Sequence, residues 1–203
     1  MRRVTERAKT CYTMAVIDLI KDKLKYYIPR SIECTGDIRA SVVLPIFQKD
    51  GEGHVVLTRR TVKVKAHPGE ISFPGGMFEQ KDGTTRTTAL RETCEEIGVR
   101  GRDIEIVGQL DDMRTLTGFV ITPYVGIIPY PYEFKISPAE VAYLIFLPLA
   151  YLQKADPSIE EAAHQGKVER VQAIYYNNER IWGATCRILL NFRQVLVDGK
   201  VQS

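Results

Sequence analysis

The sequence predicts an α/β chain, a mixed sheet sandwiched by helices, and three features predict it. β-rich runs alternate with a few helix-like segments, the pattern of a layered sheet. The pair Asp50-Gly51 lies between two such runs and marks a tight hairpin. A further segment carries Leu90, Cys94 and Ile97 at 3.6-residue spacing and ends at Gly98, a usual helix stop.

Taken in order, the opening from Met1 to Thr10 is basic but has no apolar stretch of the kind a secretory signal needs. It reads as a fraying terminus rather than a transit peptide. Met14 to Tyr27 is helix-like, and residues 1–37 are expected to form an N-terminal helical extension to a single compact unit over 38–203. Arg39 to Phe47 and His54 to Arg60 read as the strands of the hairpin. Ile104 to Leu110, Phe119 to Pro129 and Val168 to Tyr176 read as further strands, and Pro148 to Gln153 and Ile181 to Val195 as helices. Trp182 is expected to be a core aromatic.

Composition bounds the function. A chain of 203 residues with 44% hydrophobic content is long enough to bury a core as one domain. Its net charge of +3 is too mild for a dedicated nucleic-acid binder. Cys11, Cys34, Cys94 and Cys186 are widely spaced with no C-x-x-C pair, so neither a zinc site nor a disulfide framework is indicated, and the reducing cytoplasm is the default expectation. No apolar run approaches the roughly 20 residues that span a bilayer; no membrane partner is expected.

The chemistry is concentrated between Gly75 and Val99. Glu92, Glu95 and Glu96 stand at i, i+3 and i+4, within about 100° of arc on a helix. Like charges at this spacing repel by a few tenths of a kcal/mol each, so the face calls for a positive partner. A hard divalent cation, Mg²⁺ or Mn²⁺, suits such oxygen ligands. Taken alone, Glu-x-x-Glu-Glu describes many solvated helices; the residues around it decide otherwise.

Those residues, Gly75-Gly76, Asp82 and Arg91-Glu92-Thr93-Cys94-Glu95-Glu96-Ile97-Gly98, resemble the Nudix box. Asp82 replaces the usual Glu and one extra residue separates it from Arg91, departures shared with the coenzyme A diphosphatases. A second signature of that subgroup is similar to Leu57-Thr58-Arg59-Arg60-Thr61, Lys65, Gly69 and Ser72-Phe73-Pro74-Gly75-Gly76, with Thr61 in place of Ser or Ala and Lys65 in place of Arg. Landmarks at Gly118-Phe119, Thr122-Pro123, Pro138 to Val141, Pro148-Leu149 and Ile181 to Thr185 extend the resemblance over roughly residues 38 to 196.

The resemblance implies a Nudix α/β/α sandwich that cleaves a small-molecule nucleotide diphosphate, first of all coenzyme A or acyl-CoA, with NADH or ADP-ribose as the alternative substrates. A sensor that binds without cleaving is the non-enzymatic reading. Glu92 and Glu96 are implied metal ligands, Glu95 a ligand or the base, the Gly75 carbonyl a further ligand, and Arg91 the residue that holds the carboxylates. Glu140 is a second candidate base. Gly76 would let backbone approach the ligand, although a plain tight turn accounts for the glycine pair equally. Arg59, Arg60, Lys63 and Lys65 are the candidate phosphate contacts, and strand alternation sends about half of such residues to the opposite face. His67, beside Pro68, reads as a loop residue rather than a catalyst.

Overall fold

The computed structural model describes residues 15–64, 67–164 and 167–198, the backbone alone at 163, 164, 167 and 198. Helix α1 (Val16–Lys25) leads into the hairpin β1 (Ile38–Lys49) and β2 (Glu52–Arg60). Asp50 and Gly51 both take positive φ, 51° and 83°, as the two-residue turn between these strands requires. Short strands β3 (Ile71–Ser72) and β4 (Gly75–Met77) precede helix α2 (Thr85–Ile97). Then come β5 (Glu105–Gln109), β6 (Met113–Arg114), β7 (Phe119–Ile127), β8 (Val141–Pro148), α3 (Leu149–Lys154), β9 (Ser158–His164), β10 (Lys167–Tyr176), β11 (Glu179–Trp182) and α4 (Gly183–Asp198).

Strand β1 organises the sheet. It runs parallel to β7 from Ile38 to Ile46. On its other edge it pairs first with β4, Ala40 to Val42 against Met77 to Gly75, and only further along with β2, Ile46 to Lys49 against Val55 to Glu52. The neighbour therefore changes half-way, and the glycine pair of β4 is laid into the sheet where β2 has diverged. β8 covers the far edge of β2, and β5 and β6 pair with β7. β9, β10 and β11 form a separate three-stranded sheet.

Side-chain alternation along β1 divides the core in two. Val43 and Phe47 point to one face and pack with Val56 and with Ala89 and Ile97 of α2. Leu44 and Ile46 point to the other and pack with Val55, Leu57, Ile20 and Leu24 of α1, Leu149 and Leu152 of α3, and Leu189 and Phe192 of α4. One helix on one face and three on the other make the α/β/α sandwich expected from the sequence. α1 is part of the larger cluster, and the chain after it is pinned to the sheet end. Asp111 accepts from the Tyr27 hydroxyl at 2.6 Å and from the backbone amide and Nε of Arg30 at 2.9 and 3.0 Å. Asp112 accepts from the Ile32 amide at 2.9 Å, Arg39 at 3.3 Å and Thr122 at 2.8 Å. Burial pushes the Asp111 carboxyl up, yet these donors outweigh it and hold the group below its ordinary value.

Several elements differ from expectation. Ile181 and Trp182 belong to β11, and the helix starts only at Gly183, whose φ of 61° breaks the strand. Trp182 is half-buried, with the Arg180 guanidinium 4.6 Å above its ring, rather than a core aromatic. Cys94 is exposed, because the buried arc of α2 is centred on Ala89, Thr93, Glu96 and Ile97. β8 and β9 are strands in stretches for which no strand is expected from the residue pattern.

Phe192 is fully buried in the larger cluster. Phe192→Ala should cost about 3–5 kcal/mol and lower the thermal midpoint by about 10 °C. A calorimetric shift of only a degree or two would show that α4 contributes little to that core.

Candidate active site

Helix α2 is capped at both ends by its own sequence. The Thr84 hydroxyl accepts from the Thr87 amide at 3.1 Å, and Gly98, at φ 73°, donates its amide to the Cys94 carbonyl at 3.0 Å. A side chain at Gly98 would also press on the Lys135 backbone, which passes close by. The Ser41 hydroxyl of β1 donates to the Thr85 carbonyl at 2.7 Å, fixing the first turn against the sheet.

The carboxylates on this helix are held by two arginines. Arg91 donates through Nε and Nη2 to the two oxygens of Asp82, at 2.9 and 3.0 Å, and through Nη1 to Glu92 and Glu95, at 2.9 and 3.0 Å. Asp82 also accepts from the Thr88 hydroxyl at 2.8 Å and the Glu79 amide at 3.3 Å. The Arg91 guanidinium holds the Asp82 carboxyl well below the usual range, and Asp82 in turn pushes Arg91 up. Asp82 is thus the residue that aims Arg91. Its place in the box marks the position, but its bidentate pairing becomes visible only when the turn before α2 folds back.

Glu96 has a different environment. It is 2% exposed, its Oε1 lies 3.6 Å from Nη1 of Arg60, and its Oε2 has no hydrogen-bond partner. Burial pushes its carboxyl up to about 8, with Glu140 and Glu92 adding to the rise, against the opposing pull of Arg60 and the Gly75 amide. Burial also raises Glu92, with Arg91 opposing and Glu95 and Glu140 reinforcing. Glu140 reaches this cluster from the loop before β8, where the Ser137 amide donates to the Glu96 carbonyl at 2.9 Å and the Thr61 amide to the Glu140 carbonyl at 2.8 Å.

The two glycines are demanded by contact. A Cβ at Gly76 would stand 2.5 Å from the Glu92 carboxylate, and one at Gly75 would sit 2.6 Å from the Val42 Cα. The structure therefore brings Glu92, Glu95, Glu96, Arg91, Glu140, Arg60, Gly75 and Gly76 into one cluster. Arg59 leaves it: its guanidinium turns to the other face and pairs with Glu179 at 2.7 Å, as strand alternation anticipates for half of the basic residues. Lys63 lies exposed on the turn after β2, and Lys65 lies outside the described residues. His67 hydrogen-bonds Glu70 at 3.0 Å on that same loop. Among the described residues no three acidic, His or Cys groups converge as a ready coordination set, because Arg91 draws Glu92 and Glu95 onto itself.

Comparison with known proteins identifies the family. The NUDIX domain family model matches residues 37–177. The chain belongs to the Nudix family. The Nudix hydrolase NudL of Photorhabdus laumondii is 33% identical over 156 residues, 76% of this chain and 83% of the relative. NudL of Salmonella newport is 33% identical over 152 residues, 74% of this chain and 79% of that relative. Among solved structures, the chain is similar to an Ap4A hydrolase of C. elegans, with a TM-score of 0.48 and 16% identity over 58% of this chain and 84% of that one. It is also similar to the NUDIX domain of Shewanella oneidensis NrtR complexed with ADP ribose, with a TM-score of 0.45 and 20% identity over 59% and 78% of the two chains. This Nudix protein is a hydrolase of diphosphate bonds in nucleoside diphosphate derivatives.

The buried Glu96 gives the metal-free protein a defined pH dependence. Between about pH 4.5 and 8 the native carboxyl keeps a proton that the unfolded chain has lost. Stability should therefore fall as pH rises through that window, and Glu96→Gln should remove most of the slope. Thermal melts in chelator across this range check it, and an unchanged slope in the variant would place the titration elsewhere.

Proposed function

We propose that this hydrolase cleaves the diphosphate of coenzyme A or acyl-CoA into 3′,5′-ADP and 4′-phosphopantetheine or its acyl derivative, using Mg²⁺ or Mn²⁺. The observation that carries the metal requirement is Glu96, a carboxylate nearly removed from water with one oxygen unpaired and other carboxylates beside it. Once ionised, such a group needs a cation stronger than one guanidinium at 3.6 Å. Glu92 and Glu96, joined by Glu95 and the Gly75 carbonyl, would hold it. A divalent cation bound there neutralises phosphoryl charge and acidifies the attacking water.

The remaining roles belong to the chain. Arg91 keeps Glu92 and Glu95 side by side, and Gly76 leaves the space in front of Glu92 free of side chain. Arg60 supplies a planar donor fork toward a phosphate. Glu95, more than half exposed, and Glu140 are the two carboxylates available to accept the proton of the attacking water. Coenzyme A is favoured over other dinucleotides by the residues from Leu57 to Gly76, which resemble the signature of coenzyme A diphosphatases and end in the glycine pair of the site.

Glu96→Gln should fold and lose about a hundredfold or more in kcat, since it removes one ligand charge from a hard-cation site. Near-normal turnover with unchanged metal dependence would exclude Glu96 as a ligand. In a panel assayed with Mg²⁺, coenzyme A should exceed NADH and ADP-ribose in kcat/KM, and the reverse order would reassign the substrate. Tight binding without product would support a sensor instead. Dephospho-coenzyme A should be about ten- to a hundredfold poorer than coenzyme A if a charge-assisted contact holds the 3′-phosphate. Lys65→Ala should abolish most of that difference, whereas equal losses on both substrates would assign Lys65 another contact.

A further inference from the structure

Strand β8 forms an edge of the larger sheet. It pairs with β2 alone, and among the described residues no ladder runs along its outer side. Edge strands are commonly blunted by charged side chains or proline, because an open row of amides and carbonyls invites another chain. Residues 141–147 carry neither, and Pro148 comes only at the end. A cleft of about 330 Å³ follows this edge, with residues 143–146 on one side and Tyr176, Asn177 and Glu179, at the turn from β10 to β11, on the other. Among the described residues Glu179 is the one charged group lining it, and both of its oxygens are taken: Arg59 donates to one at 2.7 Å and the Tyr143 hydroxyl donates to the other. The cleft therefore offers apolar walls, a side-chain amide and an open strand edge, and no free charge for a phosphate.

The cleft begins three residues after Glu140, which belongs to the carboxylate cluster, or about 10 Å along a strand. The β2–β8 pairing skips Ala142 between them, an exposed residue too small to close the way. Residues 143–146 then carry the edge on for about 13 Å. The pantetheine arm of coenzyme A is an uncharged chain with two amides, and extended it reaches about 14 Å, the span of four peptide units. Such a chain can satisfy an open edge as an added strand does. We propose that the β8 edge is the subsite for this arm: the arm lies extended along Tyr143 to Phe146 with its amides on the β8 main chain, Asn177 faces it across the cleft, and its thiol or acyl end meets the exposed Phe146 ring, which packs on Phe47 and Phe134. The choice of ligand rests on coenzyme A being the substrate. NADH and ADP-ribose have no such arm, so the edge discriminates against them.

The test records backbone-amide NMR shifts of the full chain, in chelator, during titration with pantetheine and, separately, with a capped alanine tripeptide. Pantetheine should bind with a Kd on the order of a millimolar and shift the amides of residues 143–146 and 176–179 rather than those of α2. Asn177→Gly keeps the positive φ of 49° accessible to the turn and removes the side chain, so it should raise that Kd about three- to tenfold. Phe146→Glu puts a charge into the neutral cleft and should raise it about tenfold or more. Absent shifts, shifts centred on α2, or a β8 edge that answers to the tripeptide and not to pantetheine would overturn the proposal. Should Phe146→Glu not fold, an unchanged Kd in Asn177→Gly would overturn it equally. Coenzyme A turnover is assayed separately. Turnover without pantetheine shifts would strike the subsite and keep the substrate, whereas the expected shifts without turnover would remove the substrate assignment and leave the subsite standing.

Discussion

Crowding of negative charge on one turn of a helix is the constraint to which the rest of the site answers. Glu92, Glu95 and Glu96 stand together at a cost in charge repulsion that is met by a raised Glu96 carboxyl and, among the described residues, by two arginines. Arg91 comes from the helix itself and is locked by Asp82 on the preceding turn. Arg60 comes from the strand beneath. The local sequence builds the first arrangement, since Thr84, Asp82, Thr88 and Arg91 are close neighbours in the chain. The second needs the whole sandwich, because β2 must carry Arg60 under a helix that begins 25 residues later.

The sheet explains how such proximity is reached. β1 exchanges one neighbour for another along its length, β4 at its beginning and β2 at its end. Two glycines thereby lie beneath the helix: Gly76 leaves room for the Glu92 carboxylate, and Gly75 lies close against Ser41 and Val42 of β1. A continuous β1–β2 ladder would present side chains there. Helix α2 sits against this irregular part of the sheet, and the regular part, with Val43 and Phe47 on one face and Leu44 and Ile46 on the other, supplies the packing that holds it.

What the sequence made legible follows the range of the interactions. The hairpin at Asp50-Gly51, the stop at Gly98 and the carboxylate stripe are written within a few residues, and the structure contains all three. Cys94 and Leu90 were harder: 3.6-residue spacing locates a stripe but not its centre, and the centre moved onto Thr93 and Glu96 because the helix lies across the glycine strand. β8 is an almost unbroken apolar run, which periodicity cannot separate from a buried helix. β9, Ser-Ile-Glu-Glu-Ala-Ala-His, has a helical composition overridden by its ladder with β10. The turn at Asn177-Asn178, with φ of 49° and 65°, was a readable hairpin signal that would have moved the start of α4 beyond Trp182. That Arg60 faces the site and Arg59 does not depends on the face of β2 that α2 covers, which no local pattern records.

The latch formed by Asp111 and Asp112 has a consequence for where this domain begins. The family match starts at residue 37, after α1 and the strap that follows it. Yet the two aspartates are almost wholly buried and draw most of their donors from Tyr27, Arg30 and Ile32, and Ile20 and Leu24 fill the larger core. A chain trimmed to the family boundary would expose that core and leave two interior carboxylates short of donors, so residues 15–37 are structurally inseparable from the hydrolase fold they precede.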